Sequence, residues 1–330
     1  MLKIKLKDKI ISDVNRPYVI AEIGSNFNQS INQAYKLIDI AKKCKADAAK
    51  FQLFRAKSLY PNNKKMFKIF KSVELNPNWI KLLKEYCRKK NIHFLVSPFD
   101  QESLQVLKKN NLFAYKIASS EATNFKLINN IAKTHKPIFL STGMCDLDDV
   151  RKAIKLINNK NIVLMQCYSS YPLQEKDTNL NVLLTYKKNF NVILGYSDHT
   201  LGADSAIVAL GLGARVFEKH ITLNKKMKGP DHFYAMEPRE FTDYVFRIHE
   251  AYKMLGRSEK DLIKFEKKFG RREGLYFKKN LSIGQKIYKS AIEIKKPARG
   301  MRSKYINKIL NKKLKKKAQK GQPITVDYFK

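Results

Sequence analysis

The chain has 330 residues, 44% of them hydrophobic, which is enough for one large domain and a smaller one. It carries 66 basic and 29 acidic residues, a net charge of +37, but the lysines are spread over the whole chain, so we ascribe the excess to genome composition rather than to a nucleic-acid partner. The sequence has no run of about 18 apolar residues and no signal-peptide stretch, so we expect no membrane span. Its four cysteines are far apart and form no CxxC pair, so we expect a cytoplasmic protein without a thiolate zinc site.

Residues 1–16 are predicted to form a hairpin, after which eight short apolar runs alternate with amphipathic helical patterns. Each run has about the length of a buried strand. The runs lie at residues 18–22, 48–52, 94–97, 114–118, 138–141, 162–166, 192–197 and 216–221. Several helical patterns begin at a good N-cap residue, for example Asp100, Asn124 or Asp146. Eight strands alternating with helices over about 250 residues predict an α/β fold, the closed (β/α)8 TIM barrel, with the hairpin plugging its floor.

An open doubly wound sheet is the main alternative fold. It usually carries a glycine-rich turn after its first strand, whereas the glycine cluster here, GLGARV from Gly211, follows a helix and precedes a strand. We therefore place a catalytic barrel in residues 1–256, a charged linker in residues 257–273 and a small β-rich domain in residues 274–330. Within that domain, the run KKLKKKAQK is predicted to be a solvated helix face rather than a nucleic-acid contact.

Polar residues recur where the predicted strands end. In a barrel these ends converge on one mouth, so the recurrence predicts a functional site there. The residues are Glu22, Lys50, Gln52, Ser97, Lys116, Ser119, Ser120, Glu121, Ser169, Tyr171, Ser197, Asp198, His199, Glu218, Lys219 and His220.

Two histidines, His199 and His220, follow strands that are neighbours in the predicted barrel, about 4.8 Å apart. Two imidazoles at that spacing can share one divalent cation and leave positions open for substrate and water. The alternative is two unrelated histidines, one in a loop and one packed in the barrel. Asp198 either orients a metal ligand or caps the following helix.

Two lysines, Lys50 and Lys116, end apolar strands, and a buried lysine requires a partner. A phosphate or carboxylate ligand, a Schiff base, or an ion pair with Glu22 or Glu121 would each supply one. The serine hydroxyls at the same mouth can donate hydrogen bonds to phosphate oxygens, although a single serine is more often a cap.

Nine segments follow one another in order from about residue 18 to residue 238: AEIGSNFNQS, ADAAKFQLF, VSPFD, KIASSEATNFKLI, KPIFLSTGM, QCYSSYPL, LGYSDHTLG, EKHITL and GPDH. Through them the chain resembles the sialic acid synthase (N-acetylneuraminate synthase) family. The C-terminal region resembles the antifreeze-like (SAF) domain that follows the barrel in that family. The resemblance implies a transferase that condenses phosphoenolpyruvate with an N-acylated hexosamine, either N-acetylmannosamine or a 6-deoxy diamino analogue, giving a nine-carbon 2-keto acid and phosphate.

The resemblance also implies roles for individual residues. Glu22 and Glu121 fall on catalytic carboxylates, and His199 and His220 on the ligands of a divalent metal, commonly Mn²⁺, with Mg²⁺ or Co²⁺ as alternatives. The positions that bind phosphoenolpyruvate are Lys50, Ser97, Lys116, Ser119, Ser169 and Ser197. The positions that contact the sugar are Gln52, Tyr171 and Asp231. Since the SAF domain of the family reaches a neighbouring subunit, the resemblance implies a domain-swapped homodimer.

Three departures from the family pattern bear on the sugar. Phe27 stands where the family usually has histidine, so we expect a sugar contact to change. Ser97 replaces a common threonine and keeps the hydroxyl. Lys296 holds the place of the SAF arginine, and Arg299 lies three residues on. Because lysine cannot copy a bidentate guanidinium contact, we expect the acyl group of the sugar to be held differently.

Two other functions stay open at this point. One is a Schiff-base aldolase using Lys50 or Lys116, which borohydride trapping with pyruvate would detect. The other is a non-enzymatic basic binding module, which would hold duplex DNA at about 0.2 M salt.

Overall fold

The computed structural model describes residues 2–269 and 272–329. Residues 270 and 271 of the predicted linker, and the terminal residues 1 and 330, lie outside the described residues. The chain divides into two compact units, Met1–Gly256 and Arg257–Lys330. Among the described residues, no helix combines the length and the apolar character needed to cross a membrane.

The first unit alternates strands and helices along the chain. Its strands are β1 (Lys3–Leu6), β2 (Lys9–Ser12), β3 (Tyr18–Gly24), β4 (Ala48–Leu53), β5 (His93–Pro98), β6 (Tyr115–Ile117), β7 (Ile138–Ser141), β8 (Ile162–Gln166), β9 (Ile193–Asp198) and β10 (Val216–His220). Its helices are α1 (Ile31–Lys43), α2 (Ala56–Leu59), α3 (Lys64–Lys71), α4 (Trp79–Lys89), α5 (Gln101–Lys109), α6 (Phe125–Ala132), α7 (Leu147–Ile157), α8 (Val182–Asn189), α9 (Asp204–Gly211) and α10 (Pro238–Leu255).

Strands β3 to β10 form one parallel sheet in the order β5-β4-β3-β10-β9-β8-β7-β6, and the two end strands, β5 and β6, lie side by side. The sheet therefore curls into a barrel. This confirms the predicted (β/α)8 fold, and each predicted strand matches an observed one to within two residues.

The strands are buried on both faces, which explains their continuous apolar runs. In β3, Val19, Ala21 and Ile23 pack against the helical layer, while Ile20 and Glu22 point into the barrel. Three helices begin as predicted: the side chains of Asp100, Asn124 and Asp146 each accept a hydrogen bond from the backbone N–H three residues on.

The hairpin of β1 and β2 closes the floor of the barrel. The two strands pair antiparallel. Ile4, Leu6 and Ile11 join inward-facing barrel residues such as Phe139 and Val163 in one apolar cluster. The polar ends of the strands therefore meet at the opposite end, where the site lies.

The second unit has its own small core. Helix α11 (Lys264–Phe269) comes first, and β11 (Gly274–Phe277) pairs antiparallel with β12 (Ile292–Lys295). Leu275, Ile287 and Ile324 lie in its apolar core, in accord with the predicted β-rich SAF domain.

The lysine-rich run at residues 312–320 is not helical, so that prediction is wrong. Leu314 and Ala318 are buried in the apolar core of the second unit, and Lys313 and Ala318 form isolated bridges with other segments. The two apolar residues are four positions apart, a spacing that imitates the helical period.

Candidate active site

Four charged side chains meet inside the barrel. Lys50 Nζ lies 2.8 Å from Glu22 Oε2 and 3.4 Å from Glu218 Oε1. Lys116 Nζ lies 3.3 Å from the same Glu218 oxygen. All four are buried at inward-facing positions near the carboxyl ends of their strands. The barrel thus holds two ammonium groups that share one carboxylate, while a second carboxylate pairs with Lys50.

The pKa values in this group follow from burial and from the partners. Burial alone would raise the pKa of Glu218, but Lys116 and Lys50 outweigh it and lower that pKa to about 2. Burial also opposes the charge of Lys50, yet Glu218 and Glu22 more than offset it, so the pKa of Lys50 is raised. Burial lowers the pKa of Lys116 and raises that of Glu22. Glu218 is therefore the fixed anion between the lysines.

Two serine hydroxyls contact this charged group. Lys50 Nζ donates to Ser97 Oγ at 3.2 Å, and Ser197 Oγ donates to Glu218 Oε1 at 3.3 Å. Lys50 lies below the mouth, since Gln52, two residues later on the same strand, lines the cavity above.

Gly143 lies where the hydroxyls of Ser119 and Ser169 converge. Its backbone N–H donates to Ser119 Oγ at 3.0 Å. A Cβ atom on Gly143 would lie 2.8 Å from Ser119 Oγ and 2.6 Å from Ser169 Oγ. Because such contacts are too short for a side chain, glycine keeps the space between the two hydroxyls open. Ser119 Oγ also donates to the buried thiol of Cys167 at 3.4 Å.

The two histidines lie next to each other, with 5.7 Å between their ring centroids. His199 Nδ1 donates to the Tyr168 carbonyl at 2.7 Å, so in the neutral imidazole the lone pair lies on Nε2. His220 Nδ1 is buried without a hydrogen-bond partner. An ion bound at about 2.1 Å by one nitrogen of each ring would lie roughly 3 Å from both centroids, so the observed separation fits a shared ion.

Within residues 2–269 and 272–329, no group of three or more His, Cys, Asp or Glu side chains is arranged to hold a metal. A metal ion would therefore take only two ligands from the described residues, His199 and His220. Its remaining positions would be filled by substrate or water.

Aromatic rings and an aspartate surround the histidines. The Tyr171 ring lies 4.1 Å from that of His199, and the Tyr234 ring lies 5.1 Å from that of His220. Asp231 accepts hydrogen bonds from Tyr234 Oη at 2.7 Å and from Ser25 Oγ at 2.8 Å. These contacts fix the carboxylate of Asp231 at the edge of the cavity.

One cavity of about 700 Å³ opens above these groups. Its polar side includes Gln52, Ser119, Glu121, Ser169, Tyr171, His220 and Asp231. Its other side, which we call the apolar wall, consists of Phe54, Leu59, Tyr60, Ile69, Phe70, Val73 and Phe99. Most of the wall comes from the excursion of α2 and α3 between β4 and α4. Glu74 fixes this excursion at both ends, because its carboxylate accepts from Ala56 N at 2.6 Å and from Lys71 Nζ at 2.7 Å.

The remaining polar groups of the cavity are held by local hydrogen bonds. Gln52 Nε2 donates to Glu22 Oε1 at 2.7 Å. Glu121 ends the short 3-10 turn Ser119–Glu121 that follows β6, and it accepts from Asn124 Nδ2 at 2.8 Å. Burial raises the pKa of Glu121. Glu121 takes no part in the ion pairs of the lysines, so the ion pair considered for it from the sequence is absent.

Three further residues were singled out in the sequence. Phe27 is fully buried against Phe51 and Trp79, at 6.2 and 6.3 Å between ring centroids, so the expected change in a sugar contact does not follow from it. Lys296 and Arg299 lie in the second unit and are exposed. There Lys296 Nζ lies 3.6 Å from Glu273.

Several residues of the site were missed by sequence reasoning. Gly143, Tyr234 and Ser25 gave no signal of their own, although Gly143 lies in the STGM segment. Glu218 was recognised at a strand end but was given no role. The apolar wall was missed because its segment combines lysines and aromatics without a strand-like run.

The comparisons with known proteins agree with this architecture. Residues 37–260 match the NeuB family, and residues 272–329 match the SAF domain. The chain is 34% identical to the N,N'-diacetyllegionaminic acid synthase of Campylobacter jejuni, over 91% of this chain and 96% of that protein. It is 40% identical to an uncharacterised protein of Methanocaldococcus jannaschii, over 96% of this chain and 95% of that protein.

A solved structure shows the same barrel. The N-acetylneuraminic acid synthetase of Leptospira borgpetersenii superposes with a TM-score of 0.77 at 32% identity, over 80% of this chain and 94% of that one. The fold, the site and these relatives define an enzyme of the nonulosonic acid synthase class, a group of transferases in sialic acid biosynthesis. The chain belongs to the NeuB family.

Proposed function

We propose that this enzyme joins phosphoenolpyruvate to the aldehyde carbon of an N-acylated hexosamine, releasing phosphate and a nine-carbon 2-keto acid. The observation on which the proposal rests is the pair of buried lysines, Lys50 and Lys116, beneath a cavity that His220 lines, with the ring of His199 next to it. Phosphate and carboxylate groups are the ligands that two such ammonium groups suit best.

Phosphoenolpyruvate would lie at the bottom of the cavity. Its phosphate would take hydrogen bonds from the hydroxyls of Ser119 and Ser169, and its negative charges would face Lys50 and Lys116. Ser97 and Ser197, which contact Lys50 and Glu218, would complete this layer. Glu218 lies between the two ammonium groups and would offset their mutual repulsion until the substrate arrives.

The sugar would lie above, between Gln52, Tyr171 and Asp231. Carbon 3 of phosphoenolpyruvate forms a bond to the aldehyde carbon, and carbon 2 becomes an oxocarbenium-like centre. A divalent cation on His199 and His220, for which we propose Mn²⁺ with Mg²⁺ or Co²⁺ as alternatives, would stabilise charge on the aldehyde oxygen. Glu22 would position Gln52 against the sugar.

Water then adds to carbon 2, and one of its protons ends on the aldehyde oxygen, which becomes a hydroxyl. The carbon–oxygen bond to phosphate breaks, carbon 2 becomes the ketone, and phosphate leaves with the second proton of the water. Glu121 lines the cavity close to Ser119 and would accept a proton from this water. Its raised pKa suits a general base, because a more basic carboxylate accepts a proton more readily.

We infer that a 6-deoxy diamino sugar is preferred over N-acetylmannosamine. The apolar wall suits methyl groups, whereas a hydroxyl pressed against it would lose its hydrogen bonds to water. The similarity to a legionaminic acid synthase supports the same choice.

We also propose a domain-swapped homodimer in the cytoplasm. Met144 and Phe233 line the cavity with 73% and 58% of their surface exposed, as expected of a rim that a partner's SAF domain covers, with Lys296 or Arg299 reaching the sugar. The four cysteines are free thiols, which suits a reducing compartment.

A panel of N-acylated hexosamines, with phosphate release and product mass as readouts, tests the reaction. Phosphate should appear only with phosphoenolpyruvate, a sugar and a divalent metal together. His199→Ala should abolish Mn²⁺ binding and turnover while the protein stays folded. Full activity after chelation would contradict the metal requirement.

The Schiff-base aldolase has one observation in its favour, the lowered pKa of Lys116. Borohydride reduction in the presence of pyruvate separates the two reactions. A stable adduct on Lys116 or Lys50 would support the aldolase, and its absence alongside phosphate release would support the synthase.

A further inference from the structure

Two buried charged residues of the sequence motifs have no role in the proposed chemistry. Asp198 and Lys219 directly precede His199 and His220, at the carboxyl ends of β9 and β10. Because strand side chains alternate, these two point out of the barrel while the histidines that follow them point in. Asp198 and Lys219 are also register partners across the two parallel strands.

Asp198 and Lys219 form an ion pair that is almost completely buried. Lys219 Nζ lies 3.0 Å from Asp198 Oδ2, with 3% and 0% of the two side chains exposed. A charged pair placed outside the barrel, behind the site, contributes nothing to substrate binding directly. Its position suggests that it acts on the strand ends.

The same pair holds the turn that follows His199. Asp198 Oδ1 accepts hydrogen bonds from Thr200 N at 2.9 Å and Thr200 Oγ1 at 2.8 Å. Lys219 Nζ donates to the carbonyl of Thr200 and, at 3.3 Å, to that of Gly202. Lys219, which precedes His220, thus binds the turn next to His199. One hydrogen-bond network therefore connects the backbone segments of the two histidines.

We propose that the Asp198–Lys219 pair is a positioning device that sets the separation of the His199 and His220 rings. This inference rests on the proposed role of the histidines as metal ligands. Groups that orient metal ligands without touching the ion usually change affinity by about 10- to 100-fold when they are removed. We expect a loss of that size here.

Three variants separate positioning from simple electrostatics: Asp198→Asn, Lys219→Met and the double variant that combines them. If only charge mattered, Lys219→Met would leave an extra negative charge and tighten Mn²⁺ binding, while Asp198→Asn would weaken it. Positioning predicts that both single variants and the charge-free double variant weaken Mn²⁺ binding at least tenfold, measured by the electron paramagnetic resonance of free Mn²⁺ with the full chain. Opposite changes in the single variants, or wild-type affinity in a folded double variant, would overturn the proposal.

Asp47→Asn is the matched control, because Asp47 is a buried carboxylate paired with Lys9 and Arg16, before β4 and away from the histidines. It should lower the melting temperature and leave Mn²⁺ affinity unchanged. An equal loss of affinity in Asp47→Asn would mean that general destabilisation explains the effect, and the proposal would be wrong.

A metal-free readout keeps the test independent of the proposed function. The imidazole resonances of His199 and His220 should shift in Asp198→Asn and Lys219→Met and stay unchanged in Asp47→Asn. If the wild-type protein binds no Mn²⁺, the metal requirement of the proposed function is wrong. The histidine resonances would still decide whether the Asp198–Lys219 pair positions the two rings. Unchanged resonances in the pair variants would refute it.

Discussion

Lys116 and Glu218 form a fully buried ion pair, 3.3 Å from Nζ to Oε1, and Lys50 lies 3.4 Å from the same oxygen. Removing one member of a buried pair leaves an uncompensated charge, which costs about 3–5 kcal/mol. Glu218→Ala should lower the free energy of unfolding by about that amount. Trp79, the one tryptophan of the chain, lies in α4, so its fluorescence during urea unfolding reports on the barrel. Glu250→Ala, which breaks an exposed pair with Lys253, is the control and should cost about 0–1 kcal/mol; equal losses would contradict the buried-charge argument.

Gly143→Ala should damage the binding of phosphoenolpyruvate without unfolding the barrel. The new methyl group would collide with the hydroxyls of Ser119 and Ser169 and push them apart. A displacement of about 1 Å at a reacting site can cost roughly 100-fold, so we expect kcat/KM for phosphoenolpyruvate to fall by about that factor. Gly211→Ala is the matched control, since a Cβ atom there meets nothing within 4 Å. Comparable activity in the two variants would refute the proposed phosphate position.

The pH profile should report the raised pKa of Glu121. A carboxylate that accepts a proton from water must be ionised, and burial moves its protonation to higher pH than the ordinary value of 4.5. As the pH falls through the raised pKa, kcat/KM should decline by about tenfold per pH unit, and the decline should begin above pH 4.5. Glu121→Gln should have low activity at every pH and lack this decline. An unchanged profile in that variant would assign the proton transfer to another group.

The apolar wall should set the preference among sugars. Phe70→Ala removes a ring from the wall, so its kcat/KM for a 6-deoxy diamino sugar should fall by about tenfold or more relative to N-acetylmannosamine. Phe67→Ala on the same helix α3 is the matched control, because Phe67 does not line the cavity. The ratio of the two kcat/KM values, measured by phosphate release, decides the question. A wild-type enzyme that prefers N-acetylmannosamine would refute our choice of sugar.

The sequence was informative where one stretch of chain determines the structure. Apolar runs predicted the eight strands, because parallel barrel strands are buried on both faces, and side chains such as Asp100 and Asp146 predicted helix starts. It was less informative about contacts between distant strands. Glu218 forms ion pairs with both Lys50 and Lys116 because of the way the barrel closes. The ion pair between Asp198 and Lys219 depends on the register of β9 and β10. Neither is encoded by local spacing.

Gly143 and the run at residues 312–320 both show that tertiary contacts cannot be predicted from a local stretch of sequence. The need for glycine comes from Ser119 and Ser169, two side chains on other loops, and a single sequence gives no sign of it. In the lysine-rich run, Leu314 and Ala318 have helical spacing, but their burial against Leu281 and other core residues decides the local structure. Tertiary contacts override local pattern in both places.

The hairpin of β1 and β2 closes one end of the barrel, and this constrains the order in which substrates bind. Under the proposed function, both reactants enter and both products leave through the cavity at the other end. Under the proposed function the lysine layer lies beneath the sugar, so phosphoenolpyruvate has to arrive first and is trapped once the sugar follows it. The kinetics should therefore be ordered, with phosphoenolpyruvate binding first. The sugar binds second, so an excess of sugar should inhibit the enzyme by blocking the release of phosphate.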